Sequence, residues 1–528
     1  MTKYIFKSLS TFALAVVVAA CGGASGSAAS QSDSAAVDTA AEPAIVEPLP
    51  DTVYASASII KSHVRVLDTV TPGQIDDYTD PYRSAPGVLT FRANHLRDAD
   101  MGGRVEGRPS EIVVDWEFET TTDMRETGFG QWGGGTGWTG QPLFVEWPDS
   151  AVRRFKAAGN LASGFSGREI IVGSLSANLY FIDFATGKAS REPIALGNPI
   201  KGTGSIDPSL NGNLYIGHGV PAERPFGAVF VDLNSHAVAD LKPEDPWALR
   251  GWGAYDSSPV RVGRFLFRIG ENGVIYKYTV EAGRLKPHSK MRYTGAAGTS
   301  PGIEASMSVY RNYGYTADNH GYVVCTNLDN LQPVWAYASG DDNDATPVVA
   351  IENGLPYVYC SSEIDRQGVG TALLAKLDGL TGDPVWEKRI PGARFDKDGK
   401  HFDGGFYASP LPGKGNCSHL LFSNIVFNDN GGQNGGFIAV NRATGATVYT
   451  VPLRVYAWSS PVGFMNADDR MFVLTGDCGG NLYLIDGIDG TVITRKAVGS
   501  NFESSPVVVG NSAVVGSRGT KIFKVSVK

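Results

Sequence analysis

The chain has 528 residues, of which 65 are glycine and only 19% are charged, a balance that turn-rich β-structure requires. Its formal net charge of −8 argues against nucleic acid or an anionic membrane surface as the main partner. The five cysteines, Cys21, Cys325, Cys360, Cys417 and Cys478, form no paired Cys-x-x-Cys set, which excludes a structural zinc site of that kind.

Residues 1–20 carry Lys3 and Lys7 ahead of a short apolar run from Phe12 to Ala20, too short to span a bilayer stably, and so read as a signal peptide. The run ends Val18-Ala19-Ala20-Cys21, which resembles the bacterial lipobox, whose cysteine becomes the lipidated first residue. Cys21 is therefore the expected lipid anchor, holding the protein to a membrane without a spanning helix; the alternative is a plain signal peptide with a chance cysteine. Gly22 follows, without the Asp that favours inner-membrane retention, so an outer-membrane, periplasm-facing location is expected. Residues 21–50, rich in Ala, Ser, Gly and Pro, cannot bury a core and read as a flexible tether. Residues 51–110 have no clear pattern, although the stretch from Tyr82 to Arg92 could pack across a face of the domain that follows.

From residue 111 to 528 one pattern recurs. Each copy has a Ser/Thr-Pro-Val start, an apolar run, a Gly-rich turn, an aromatic-bearing run and often an Asp-x-x-Thr-Gly turn. Four short strands per repeat with such turns describe a β-propeller blade. Aligned on the first-strand proline, the copies start at Pro142, Pro208, Pro259, Met307, Pro347, Pro410, Pro461 and Pro506. The fold is thus an all-β, eight-bladed propeller of four-stranded antiparallel blades, with seven blades as the alternative because the copy around Pro208 is the weakest. After Phe523 the last copy has room for three strands, whereas Ile112-Val113-Val114-Asp115-Trp116 is a lone upstream strand with the fourth-strand tryptophan seen in Trp335 and Trp386. This N-terminal strand is expected to complete the last blade, removing two free sheet edges.

The turns Asp183-Phe184-Ala185-Thr186-Gly187, Asp378-Gly379-Leu380-Thr381-Gly382 and Asn441-Arg442-Ala443-Thr444-Gly445 resemble the quinoprotein-type propeller repeat, named for dehydrogenases that use pyrroloquinoline quinone (PQQ). Those dehydrogenases share an adjacent Cys-Cys pair under the quinone, and this chain has no Cys-Cys dipeptide and no Cys-x-x-Cys-His for a c-type haem. The repeat therefore implies a fold and not a cofactor. A nearer resemblance is to bacterial lipoproteins with non-enzymatic propellers of this type, among them the propeller subunit of the outer-membrane β-barrel assembly machine. This chain is longer, with an extra segment before the blades.

In a propeller the loop before each inner strand lines the mouth of the central channel. The residue three before each aligned position should recur there, giving Thr139, Ser205, Asp256, Glu304, Asp344, Tyr407, Trp458 and Glu503. Like charges held this close raise one another's pKa unless a cation or basic group sits among them. The ring reads either as a cation or amine site, calcium included, or as acids that cap turns locally. Trp138, Trp252, Tyr255, Tyr407 and Trp458 gather in the same loops and would anchor a peptide or stack on sugars if exposed; buried between blades they are packing. No catalytic nucleophile is predicted: Gly476-Asp477-Cys478-Gly479-Gly480 falls at a hairpin turn of the repeat. The sequence therefore points to a lipid-anchored envelope propeller that binds or scaffolds a protein, peptide or glycan, with no firmly predicted cofactor. The alternative is a PQQ- and calcium-dependent oxidoreductase or a glycan-active enzyme.

Overall fold

Eight four-stranded antiparallel sheets follow one another around a ring in chain order, with inner strands at Leu143–Glu146, Ser205–Ile206, Val260–Val262, Ser308–Tyr310, Val348–Glu352, Leu411–Pro412, Val462–Met465 and Val507–Val509. These are blades 1 to 8. The computed structural model describes residues 46–137, 140–281, 284–295, 298–397, 400–428 and 433–528. Cys21 with the expected signal peptide, most of the expected tether, Trp138 and Thr139 lie outside them. The eight-blade count holds, and so does the closure. Ile112–Glu119 pairs antiparallel with Lys521–Val527, from Ile112 opposite Val527 to Glu119 opposite Lys521, and supplies the outer strand of blade 8.

The repeated residues are explained by contacts between neighbouring blades. In the Asp-x-x-Thr-Gly turn the acid caps the backbone: Asp183 Oδ1 accepts from the Thr186 N–H at 2.9 Å, and Asp378 Oδ1 from those of Leu380 and Thr381 at 2.8 and 3.0 Å. The glycine of the turn has positive φ, at Gly187, Gly382 and Gly445. A Cβ there would also strike, within 2.8 Å, an indole from the preceding blade: Trp116, Trp335 and Trp386 respectively. Each indole then donates its N–H to a carbonyl of the same turn, Phe184, Gly379 and Arg442, at 3.1, 3.2 and 2.9 Å. Because Trp116 belongs to blade 8 and Gly187 to blade 1, the staple runs across the seam where the ring closes.

The Ser/Thr before each proline forms a second ring nearer the axis. The Ser258 N–H donates to Ser306 Oγ, Ser306 to Thr346 Oγ1, Thr346 to Ser409 Oγ, Ser409 to Ser460 Oγ and Ser460 to Ser505 Oγ, all at 2.9–3.1 Å. Ser505 hands on to the Gly140 carbonyl of blade 1 at 2.9 Å. Ser460→Ala removes the acceptor of a buried amide and is expected to cost about 1–2 kcal/mol, read as a lowered urea midpoint.

Residues 46–110 are tied to the ring throughout. Ile60–Val66 adds a fifth strand outside Arg284–Gly295 of blade 3, and Gly87–Val88 pairs with Phe144 and Val145 of blade 1. Residues 87–104 then cross the axis and meet the exposed edges of the inner strands, which would otherwise carry unpaired backbone groups. The Leu89 carbonyl accepts from Ile206 of blade 2, the His95 carbonyl from Val309 of blade 4, the Leu96 carbonyl from Val349 of blade 5 and the Gly103 carbonyl from Met465 of blade 7, at 2.7–3.0 Å; the Arg104 N–H donates to Gly510 of blade 8 at 2.9 Å. Two fully buried arginines complete this plug. Arg92 Nη2 donates to the Pro410 carbonyl of blade 6 at 2.7 Å. Arg97 Nε donates to the Met307 carbonyl of blade 4 at 2.9 Å, and its Nη1 to Thr90 Oγ1 and the Phe91 carbonyl at 2.7 and 2.6 Å.

Cys325, Cys360 and Cys417 are buried as free thiols, and burial pushes Cys360 up to about 12 and Cys417 to about 11. No helix among the described residues is long and apolar enough to cross a membrane.

Candidate functional site at the channel mouth

The ring of residues before the inner strands opens onto a small funnel lined by Glu304, Asp344, Tyr407, Trp458, Phe91 and the hydroxyl ring. Its cavity is about 20 Å³, room for one or two waters or an ion. Phe91, carried by the plug, is part of the funnel lining, so the N-terminal segment shapes the site as well as supporting it.

In blade 2 the structure corrects the alignment. Ser205 pairs with Tyr215 inside the inner strand and meets the Tyr82 hydroxyl at 3.1 Å, so it does not stand at the channel mouth. Registered on the strand pairing, the residue three before the proline position is Lys201. Its ammonium, buried to 5% exposure, sits 2.6 Å from Asp256, 3.4 Å from Glu304 and 3.9 Å from Glu271. This is the basic group that a ring of acids requires. Burial opposes the Lys201 charge, but Asp256, Glu271 and Glu304 outweigh it and hold the ammonium well above its ordinary pKa. Glu304 is lowered, the pull of Lys201 overcoming its burial. Burial and the Glu304 charge push Glu271 well up, and burial, tempered by Lys201, raises Asp256 to about 6. The contact between the Glu271 and Glu304 carboxyls adds to this divergence, raising Glu271 and lowering Glu304.

A second set of acids stands on blades 5 and 6. Asp342, Asp344 and Glu363 each offer an oxygen within 4.8 Å of the others, as do Asp256, Glu271 and Glu304. These are hard oxygen donors of the kind calcium takes. No lysine or arginine forms an ion pair with the second triad among the described residues; the nearby Arg366 and Arg394 pair with Asp341 and Asp365 instead. Burial and mutual repulsion push all three carboxyls well above the usual range, with Glu304 adding to the repulsion on Asp342 and Asp344. Since the folded-state pKa lies above the unfolded one, the charged form of Asp344 costs stability that is recovered as pH falls. Asp344→Asn is accordingly expected to raise stability by about 1–2 kcal/mol at pH 8, a gain that shrinks towards zero near pH 4, measured as the difference in urea unfolding from the parent protein.

The remaining expected residues divide. Tyr407 and Trp458 stack at 4.5 Å and 23° on the funnel wall. Trp252 lies nearby, in edge contact with Phe129 at 4.6 Å and donating its indole N–H to Glu271. Tyr255 is only 2% exposed, packed under the Arg268 guanidinium and beside Tyr276, so it serves the interior and not the face. Glu503 stands apart, accepting from Asn501 at 2.9 Å with Arg518 3.8 Å away.

A family model described as outer membrane protein assembly factor BamB matches residues 433–528, which take in the two outer strands of blade 6, blade 7 and the three inner strands of blade 8. No curated protein matches the chain. Among solved structures, a europium-containing methanol dehydrogenase is similar at 13% identity with a TM-score of 0.55, over 84% of this chain and 98% of that one. A quinohemoprotein alcohol dehydrogenase from Comamonas testosteroni is similar at 13% identity with a TM-score of 0.56, over 84% of this chain and 80% of that one. BamB from Moraxella catarrhalis aligns at 14% identity with a TM-score of 0.46, over 68% of this chain and 93% of its own. At these identities the dehydrogenases share the propeller fold with this chain, and the likeness extends no further.

Proposed function

We propose that this chain is a non-catalytic binding propeller of the cell envelope, anchored by lipid on Cys21, whose funnel face engages a protein, peptide or glycan partner. The observation that carries the reading is the funnel itself. Pockets that enclose small organic ligands run to about 300–1,000 Å³, whereas this cavity is about 20 Å³ and is lined by Phe91, Glu304 and Asp344. PQQ is a tricarboxylate, and a carboxylate-lined funnel without a bound cation repels it; among the described residues the buried ammonium at this mouth, Lys201, is already held by three acids. At about 20 Å³ the funnel does not fit that quinone. The match of residues 433–528 to an outer-membrane assembly factor supports an envelope role with protein partners.

The test is calorimetric titration of the purified protein with calcium and then PQQ, alongside a dye-linked alcohol oxidation assay. Neither quinone binding nor turnover is expected. Calcium-dependent quinone binding that weakens in Asp256→Ala or Glu304→Ala would replace this reading with an oxidoreductase. Membrane fractionation of Cys21→Ala tests the anchor: the variant should leave the membrane fraction, and retention there would refute lipidation at this residue.

A further inference from the structure

Five aromatic rings lead in an unbroken line from an inserted hairpin to the funnel. The hairpin pairs Phe395–Lys397 with Lys400–Phe402. The centroids of Phe395 and Phe402 are 6.4 Å apart, Phe402 and Tyr456 6.4 Å, Tyr456 and Trp458 5.4 Å, and Trp458 and Tyr407 4.5 Å. The last two rings share the funnel wall with Glu304 and Asp344.

The charge at the end of this track is one-sided. On blades 2 to 4 the acids surround an ammonium that the chain itself supplies, Lys201. On blades 5 and 6 the Asp342, Asp344 and Glu363 carboxyls converge without one among the described residues, and Asp342 Oδ1 is buried with no hydrogen-bond donor. One half of the mouth thus holds a cation of its own, and among the described residues the other half has no ion-pair partner.

We infer that the aromatic track binds an extended peptide segment of a partner protein and that a Lys or Arg side chain of that segment caps the funnel, its cation lying over the mouth against the Tyr407–Trp458 stack and the Asp344 carboxyl, with Glu363 adding its charge from beneath. The inference rests on the binding reading above and names the chemistry of its partner. A cation over aromatic faces gains from the ring quadrupoles as well as from the acids, and a guanidinium also stacks on them. The net charge of −8 steers a basic segment towards the protein and disfavours an acidic one. Rings such as these supply rigid contact area along the rest of the segment.

The probe is an array of nonapeptides with randomised flanks and a fixed central residue: Arg, Lys, the neutral isostere citrulline, or Glu. Arg and Lys peptides should be retained at least about tenfold more strongly than citrulline peptides, and Glu peptides least. The double variant Asp344→Asn, Glu363→Gln should erase the preference for the cation, whereas Trp458→Leu should weaken all peptides by about tenfold, each with a melting temperature no lower than the parent's. Equal retention of Arg and citrulline peptides, or retention of none, overturns the inference. So does calcium alone, if it raises the melting temperature and blocks the peptides, since the triad would then be a metal site. Loss of peptide binding in a protein that neither binds nor turns over PQQ refutes this inference alone. Quinone turnover refutes the binding reading as well.

Discussion

Arg97→Met is expected to lower the stability of the folded protein by about 3–5 kcal/mol, one of the two largest single-residue effects anticipated in the chain. The side chain is fully buried and its donors reach the carbonyls of Met307, Phe91 and Ser258 together with the Thr90 hydroxyl, at 2.6 to 3.3 Å. Methionine fills much of the volume but donates nothing, so several buried acceptors lose their partners at about 1–3 kcal/mol each, less what relaxation and water recover. Burial pulls the guanidinium down to about 10, which still leaves it charged at neutral pH. The loss has a local signature. The Val309 and Val349 amides, which donate to the carbonyls of His95 and Leu96, should exchange hydrogen faster in the variant. The middle strand of blade 7, Met471–Gly476, should exchange at the parent rate at sub-denaturing urea. A variant with parent-like urea midpoint and parent-like exchange at Val309 would show that the plug is an ornament on a self-sufficient ring.

How much of this was legible in the residues depended on whether a position repeats. The Ser/Thr before proline, the Asp-x-x-Thr-Gly turn and the fourth-strand tryptophan recur because each serves the same contact between adjacent blades, so eight copies and the seam at Ile112–Glu119 could be read directly. The ring position three before the proline was legible for the same reason and located Asp256, Glu304, Asp344, Tyr407 and Trp458. Blade 2 broke the pattern. It has Thr203-Gly204 where its neighbours have Ser-Pro, and Pro208 lies four residues beyond Gly204, so the alignment slid by four and Lys201 was missed. Anchoring on the second strand would have found it, since Tyr215 stands two before Gly217 as Leu474 stands two before Gly476. Glu271, Asp342 and Glu363 come from loops whose lengths differ between blades, and the plug touches each blade through a different atom. No periodicity marks a segment whose contacts are all one of a kind.

Lys201→Met should be as damaging as the loss of Arg97, about 3–5 kcal/mol at pH 8, because it leaves Asp256, Glu271 and Glu304 in a buried site without their cation. The sign of its pH dependence follows from the same groups. Lys201 is held above its ordinary pKa, so the lysine itself stays charged from pH 5 to 8 and its own titration removes stability only at much higher pH; within that range the pH dependence comes from its acid partners. In the variant the carboxyls lose the neighbour that lowers them most, and Asp256 rises above the value of about 6 it has beside Lys201. Carboxyls raised in the folded state cost stability as pH rises, so the gap between variant and parent should be widest at pH 8 and narrow by pH 5. Taking the difference at each pH removes the contribution of the buried histidines, which titrate in both proteins. The double variant Lys201→Met, Asp256→Asn then separates a lost charge pair from a lost shape. Removing both partners of a buried pair is far milder than removing one, so the double variant should recover at least half of the loss. If it is instead as unstable as Lys201→Met, and equally so at pH 5 and 8, the lysine acts by filling space, and the funnel's acids are not organised around its charge.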